Sequence, residues 1–419
     1  MIILTQLILF FNQLNKCYNK CGDKMRIGIF VDTYEPYISG VTTSVKMLVE
    51  TYQEMGHEIF IVTANLKNSK FIYDKENKII YLPGMKTNLY DIRISGFYSF
   101  KAIQIIKEWN LDVIHSHTEF GIGTFARIVR KQLNLPLVHT YHTQYEDYIH
   151  YITKGLFDGF SKKIVAGLTK IYGDKTLDAL IVPTDKIKDL FRKKYNIKRE
   201  IHIIPTGIDT NKFILNDNIE LNVNKIKEKY NINDNDFVMG SVSRIAKEKN
   251  LEFLIKIMPR IIKDNPNTKL MFIGDGPELK SLKKLTAELK IMNNVIFTGK
   301  VPYNEIAAYY HTLNVLATAS TTETQGLTVI EALAASIPVV CINDPSFTKT
   351  IINDYNGFIF NNEMEYFNNI IELIHNQKKY QELTINARNS VYRYSKEAYA
   401  SEVLKVYAKT IKNYQKKNE

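Results

Sequence analysis

Glu323 and Glu331 bracket the run Thr-Gln-Gly-Leu-Thr-Val-Ile, and this pair is the first sign of chemistry in the chain. Residues 313–317 form a short apolar run that reads as a buried strand, and residues 326–335 carry the apolar spacing of a helix. Glu323 therefore falls at a strand's carboxyl end, and Glu331 lies about one and a half turns into the helix. In open α/β sheets, ligands settle outside the carboxyl ends of the strands, where a helix amino terminus offers N–H groups and the positive end of its dipole. The backbone near Gly326, Leu327 and Thr328 can hold a phosphate there, while the two carboxylates accept hydrogen bonds from hydroxyl groups. A nucleotide sugar has that chemistry. Taken alone, the same pair reads equally as a solvated loop acid and an ordinary helix-face acid.

Other strand ends of the same half of the chain supply complementary groups. Ser243-Arg-Ile-Ala-Lys-Glu-Lys249 places Arg244 after one strand and Lys249 at the start of the next helix. Two cations in one crevice neutralise a diphosphate without a metal, and Arg binds it bidentately. Gly274-Asp-Gly276-Pro277 makes a glycine-rich turn after the following strand, and Phe297-Thr-Gly-Lys300-Val301-Pro302 makes another. Four strand ends thus carry turns suited to a nucleotide.

These side chains need a scaffold of parallel strands. Residues 27–31, 59–63, 113–115, 137–140 and 179–183 read as strands, with amphipathic helices such as 41–55 and 100–109 between them. A second series runs through 237–242, 269–273, 295–298, 315–317 and 338–342. The fold class is α/β, two Rossmann-like doubly wound domains facing a cleft, with a hinge at Ile203-Ile-Pro-Thr-Gly-Ile-Asp209 and a basic carboxyl-terminal helix crossing back. The expected boundaries are 25–205, 206–392 and 393–419, with 1–24 as an extension outside the fold and Met25 as the physiological start. A weak membrane-touching tail is the other reading of that extension.

A chain of 419 residues suits two domains, and 45% hydrophobic with 24% charged residues is ordinary globular composition. No apolar run reaches the ~20 residues that a membrane-spanning helix needs. Cys17, Cys21 and Cys341 form no C-x-x-C, so neither a zinc site nor a disulfide framework is indicated, and a reducing cytoplasm is the default. The net charge of +11 favours an anionic partner. Two motifs are set aside. Gly121-Ile-Gly-Thr-Phe-Ala126 matches a dinucleotide fingerprint but follows a late strand, and its glycines suit close packing at a turn. Asp234-Asn-Asp236 has the form of a metal-chelating D-x-D but sits in a polar turn, so no metal site is expected.

Together these residues resemble the retaining GT-B glycosyltransferases of family 4, from Met25 to the carboxyl terminus. The resemblance implies that Glu323, with Thr324, Gln325, Gly326 and Leu327 around it, meets the donor sugar and that Glu331 meets the ribose. It implies that Arg244 and Lys249 hold the diphosphate, with Gly276 beside them, and that the turn carrying Lys300 and Val301 meets the base. Ser39-Gly40 corresponds to the family's glycine-rich loop, one glycine being Ser39 here. In His115-Ser-His117, the second histidine matches the family's active-site histidine, while His115 points the other way into packing. His117, Arg244, Lys249 and Glu323 are the expected catalytic set, and His142 lines the acceptor side. No prosthetic group is implied, and the donor is a UDP-sugar such as UDP-glucose.

The first half of the chain speaks to the acceptor. Residues 151–200 hold twelve Lys or Arg against six Asp or Glu. Aromatics such as Tyr145 stand beside Lys162, Lys163 and Lys170 and an apolar stripe, which is what an interfacial helix needs on an anionic bilayer. An ordinary amphipathic helix packing on its own sheet has the same pattern. Residues 112–151 look most like the bacterial diacylglycerol glucosyltransferase branch. That resemblance implies a diacylglycerol acceptor, peripheral binding to the inner membrane face and dependence on anionic lipid. The alternatives are a family member with a soluble or polysaccharide acceptor and, more remotely, a non-catalytic nucleotide-binding protein. No nucleic-acid-binding module is present in the pattern, so nucleic acid is not an expected partner.

Overall fold

The computed structural model describes residues 24–35, 40–66, 68–86, 93–95, 98–119, 121–142 and 176–418. The chain forms two compact units, Met1–Gly207 with Lys396–Glu419, and Ile208–Ser395. The boundary at Gly207 falls within the Pro- and Gly-punctuated segment.

The first unit is built on β1 (Arg26–Phe30), α1 (Gly40–Glu54), β2 (Glu58–Asn65), β3 (Ile72–Asp74), β4 (Ile79–Lys86), β5 (Arg93–Ser95), α2 (Phe100–Glu108), β6 (Val113–Ser116), α3 (Ile122–Leu133), β7 (Leu137–Thr140), β8 (Ala179–Val182), α4 (Asp185–Asp189) and β9 (Ile201–Ile203). Its strands run in the order β3-β4-β2-β1-β6-β7-β8-β9, with β5 paired to β4. The central strands are parallel, and β6, β7 and β8 are buried along their whole length. That is why Leu137-Val and Ala179-Leu-Ile-Val read as unbroken apolar runs: helices cover both faces. The departure from an all-parallel sheet is at one edge, where the short β3 and β5 pair antiparallel with β4.

The second unit comprises α5 (Asp217–Lys229), β10 (Phe237–Val242), α6 (Leu251–Asp264), β11 (Thr268–Ile273), α7 (Leu279–Glu288), β12 (Val295–Gly299), α8 (Ile306–His311), β13 (Val315–Thr318), α9 (Leu327–Ala334), β14 (Val339–Ile342), β15 (Gly357–Phe360), α10 (Glu363–His375) and α11 (Gln377–Ser390). Its six strands, in the order β12-β11-β10-β13-β14-β15, are all parallel. The long helix α12 (Lys396–Asn418) returns to the first unit and lies against α1 and β7. Tyr399, Val403 and Tyr407 are buried in this seam, each contributing about 1.5–3 kcal/mol of apolar burial. The polar end of Tyr407 meets His115 Nδ1 at 2.5 Å, so the helix is held by a directional bond as well as by packing.

In each sheet the first strand sends the chain to one side and then to the other. The reversal lies between β1 and β6 in the first unit and between β10 and β13 in the second. Crevices form at such switch points because the loops on either side diverge.

Candidate active site

At the second unit's switch point, a narrow crevice opens between the ends of β10 and β13, with Ser243, Lys249, Thr318, Glu323 and Thr328 on its walls. Lys249 closes the short turn Lys247–Lys249 after β10, and its Nζ lies 2.5 Å from Glu323 Oε1. Thr322 Oγ1 donates to the Glu248 carbonyl at 3.4 Å, so the loop after β13 is fastened to the loop after β10 at two points. Gly326 ends this loop with φ of +76°, and a Cβ there would lie 2.5 Å from the Phe347 ring. Only glycine meets both demands, and the turn it makes starts α9 at the crevice.

The other residues expected on the donor side lie in the same unit. Arg244 is exposed two residues beyond β10. Gly276, after β11, packs against the segment that carries Arg244, since a Cβ there would be 2.3 Å from the Ile245 carbonyl oxygen. Lys300 is exposed just after β12, and Val301 packs against the unit's core. Thr324 and Leu327 are half-buried, whereas Gln325 is buried.

The two acids that opened the sequence reading occupy different environments. Glu323 faces the crevice and is paired with a cation. Glu331 is buried on α9, where Tyr310 Oη donates to its Oε2 at 2.7 Å. Burial pushes the Glu331 carboxyl up to about 7, against the pull of the Tyr310 bond and the Lys212 charge. One carboxylate is thus ready to meet hydroxyls in a cationic setting, and the other changes its proton affinity with small changes around it.

The first unit carries a second constellation at its own switch point. His117 follows β6, and its amide donates to the Phe30 carbonyl at 2.9 Å. Its ring stacks on His142, with Nδ1 3.0 Å from His142 Nε2, and its Nε2 is buried with no hydrogen-bond partner among the described residues. Burial holds both rings far below the usual imidazole range, His142 at about 3. Both are therefore neutral, and one shared proton fixes whether His117 Nε2 donates or accepts. Gly40 opens α1 and is exposed. Ser39, Tyr145, Lys162, Lys163 and Lys170 lie outside the described residues.

One expectation changes. His115 does not point away from His117: their ring centroids are 3.9 Å apart. Residues two apart on a strand share a face, so the alternation places them together. His115 is nonetheless a packing residue, bonded to Tyr407 and, at 2.7 Å, to Thr140 Oγ1. At the Gly121 to Ala126 motif, which the sequence reading set aside, the amino terminus of α3 is capped by Asp32, whose Oδ1 accepts from the Ile122 amide at 2.8 Å. Lys24, counted with the extension, pairs with Glu58 at 2.9 Å.

Other residues were missed. Asp32 follows β1 by two residues, where its amide donates to Thr118 Oγ1 at 3.2 Å, and burial pushes its carboxyl up to about 7. Its position just after a strand was the available signal. Lys212, Tyr303 and Tyr310 gather around Glu331 from three separate stretches of chain, and no local spacing announces them. In Asp234-Asn-Asp236 the carboxylates pair with Lys227 and Lys269. Among the described residues no group of three or more His, Cys, Asp or Glu is placed to hold a metal, and no helix is long and apolar enough to cross a membrane.

Comparison with known proteins agrees with this architecture. Residues 38–212 match the Glycosyltransferase Family 4 model, and residues 222–390 match Glycosyl transferases group 1. The chain is 34% identical over 94% of its length to the alpha-monoglucosyldiacylglycerol synthase of Streptococcus pneumoniae, covering 88% of it. It is 36% identical, again over 94%, to the synthase of that name from Acholeplasma laidlawii, covering 100%. Anabaena HepE, solved in complex with UDP-glucose, shares the fold at a TM-score of 0.69 and 17% identity, over 91% of this chain and 99% of that one. The chain belongs to glycosyltransferase family 4 and has the GT-B architecture of two parallel-sheet α/β units.

Proposed function

We propose that the chain transfers glucose from UDP-glucose to 1,2-diacylglycerol with retention of configuration, giving α-monoglucosyldiacylglycerol at the inner face of the membrane. The observation that carries the reading is the near full-length similarity to two alpha-monoglucosyldiacylglycerol synthases at 34% and 36% identity. The geometry of the second unit suits the donor. A diphosphate that binds Lys249 replaces the Glu323 carboxylate as the partner of that cation, leaving Glu323 to accept from sugar hydroxyls, and Arg244, exposed after β10, adds a second cation. Glu331 takes the ribose, and the turn with Lys300 and Val301 takes the base. The family resemblance gives the sugar to His117, whose Nε2 is buried with no hydrogen-bond partner among the described residues, and the phosphates to the Ser39-Gly40 stretch.

The bond from the anomeric carbon to the diphosphate oxygen breaks as the acceptor oxygen bonds to the same face of that carbon. The acceptor proton passes to the departing diphosphate. The protein's part is electrostatic, and one well-placed donor is worth about 3 kcal/mol of barrier. The basic residues of 151–200, Lys162, Lys163 and Lys170 among them, support an anionic bilayer as the place of reaction, each contributing ~1 kcal/mol near the surface.

The test uses purified protein, anionic vesicles containing diacylglycerol and a panel of labelled nucleotide sugars, followed by lipid extraction. Label from UDP-glucose in the lipid phase is the expected result. Label that enters only a soluble or polysaccharide acceptor, or transfer indifferent to vesicles, overturns it.

A further inference from the structure

The turn Thr210–Phe213 lies against α9 and carries Lys212, whose Nζ donates to the Tyr303 carbonyl at 2.6 Å and stands 3.0 Å from the centroid of the Tyr303 ring. Tyr303 comes directly after the turn that carries Lys300 and Val301. On the other side of the cluster, Tyr310 donates to Glu331 at 2.7 Å and meets the Phe213 ring edge-on at 5.7 Å. The turn itself is pinned. His311 Nε2 lies 2.9 Å from the Phe213 carbonyl oxygen, and Arg388 reaches both the Thr210 and the Ala334 carbonyls, at 3.1 and 2.6 Å. Lys212 is therefore held as one rigid link between the segment after β12 and the acid on α9.

We propose that Lys212 is a positioning residue for the nucleoside half of the donor: through Tyr303 it fixes the turn that meets the base, and through its charge it favours the carboxylate form of Glu331, which accepts from ribose hydroxyls. The role rests on the donor reading above. Glu331 is the group at issue because burial alone favours its neutral form, which donates one proton and loses acceptor capacity. The charged and titratable groups around it are few. Tyr310 approaches from α8 and Lys212 from the turn, with Tyr303 and Asp209 beside the lysine. Arg388 of α11 meets α9 at the far end, on Ala334, and β14 brings Val339 and the Cys341 thiol, which burial pushes up. Lys212 itself is drawn down to about 8 by burial, so it is cationic below pH 7, where the neutral and charged forms of Glu331 compete.

Two variants of the full-length chain test this, Lys212→Met, which keeps length and loses charge, and Lys212→Arg, which restores charge. The carboxyl titration of Glu331, followed by carbon NMR without ligand, is expected to move upward in K212M and back toward the wild type in K212R. UDP affinity, measured by calorimetry against pH, is expected to fall about tenfold in K212M below pH 7, with the ratio to wild type narrowing as pH rises. An unmoved Glu331 midpoint overturns the proposal, as does a ratio that is constant with pH, which is what lost packing alone produces. A wild type that binds no UDP at any pH overturns the donor reading and the positioning role with it, and the NMR titration then shows whether the charge pairing survives by itself.

Discussion

Lys249 and Glu323 form an ion pair, Nζ to Oε1 2.5 Å, across the mouth of the crevice between β10 and β13. Each side chain is only partly exposed, so the pair is shielded from water on one side and open to a ligand on the other. In the proposed function, a diphosphate that takes over the ammonium frees the carboxylate for hydroxyl groups, which couples phosphate recognition to sugar recognition.

Removing the cation tests that coupling. Lys249→Ala is expected to lower kcat by about a hundredfold, the effect of losing one stabilising donor at a developing charge. The fold persists, because a part-exposed pair of this kind contributes only ~1 kcal/mol. Steady-state kinetics with thermal melts separates the two effects, and near-normal turnover removes Lys249 from the site.

Arg244 stands at the same strand end but is exposed. Arg244→Ala is expected to lower kcat more than tenfold while the melting temperature stays nearly unchanged, as surface substitutions cost within about 0.5 kcal/mol. Unaltered kcat assigns the diphosphate to other groups.

The strand ends that carry chemistry were legible from sequence because parallel strands buried on both faces leave unbroken apolar runs, as in Leu137-Val and Ala179-Leu-Ile-Val. Loops that follow such runs are placed almost automatically, which is how Arg244, Lys249 and Glu323 come to one unit's switch point. The edge strands β3 and β5 and the short β9 gave no comparable signal, since three residues with one neighbour need no apolar pattern. The environment of Glu331 was illegible for a different reason: Tyr310, Lys212 and Tyr303 reach it by tertiary packing. For His115 and His117 the rule was available and misapplied, since a strand's period of two puts them on one face.

Acid sensitivity follows from the histidines. His117 and His142 are held neutral in the folded chain, with His142 at about 3, whereas an unfolded histidine titrates near 6.5. The unfolded state therefore binds more protons below that value, and stability declines as pH falls from about 6.5. Each such histidine costs roughly 2 kcal/mol at pH 5. His142→Phe, which keeps a ring on His117, is expected to flatten the fall in melting temperature between pH 7 and pH 5, and an unchanged slope contradicts the neutral pair.

Glu331 gives the opposite dependence. Its carboxyl titrates at about 7 in the folded chain, above the unfolded value, so its contribution to stability is complete below about 4.5 and is lost as pH rises through 7. Glu331→Gln keeps an acceptor for Tyr310 without the buried charge. It is expected to be more stable than the wild type at pH 8, on the order of 3 kcal/mol at most, and equal to it at pH 4.5, while binding UDP more weakly. Denaturant unfolding at the two pH values gives the comparison, and equal stabilities at pH 8 contradict the raised carboxyl.

The most direct measurement is the proton NMR spectrum of the lipid extracted after purified chain has acted on UDP-glucose and diacylglycerol in anionic vesicles. A single glucose on the free hydroxyl of diacylglycerol, with the small anomeric coupling of an α-linkage, is the predicted result. A large diaxial coupling, which marks inversion, or a lipid fraction containing no glucose, contradicts it.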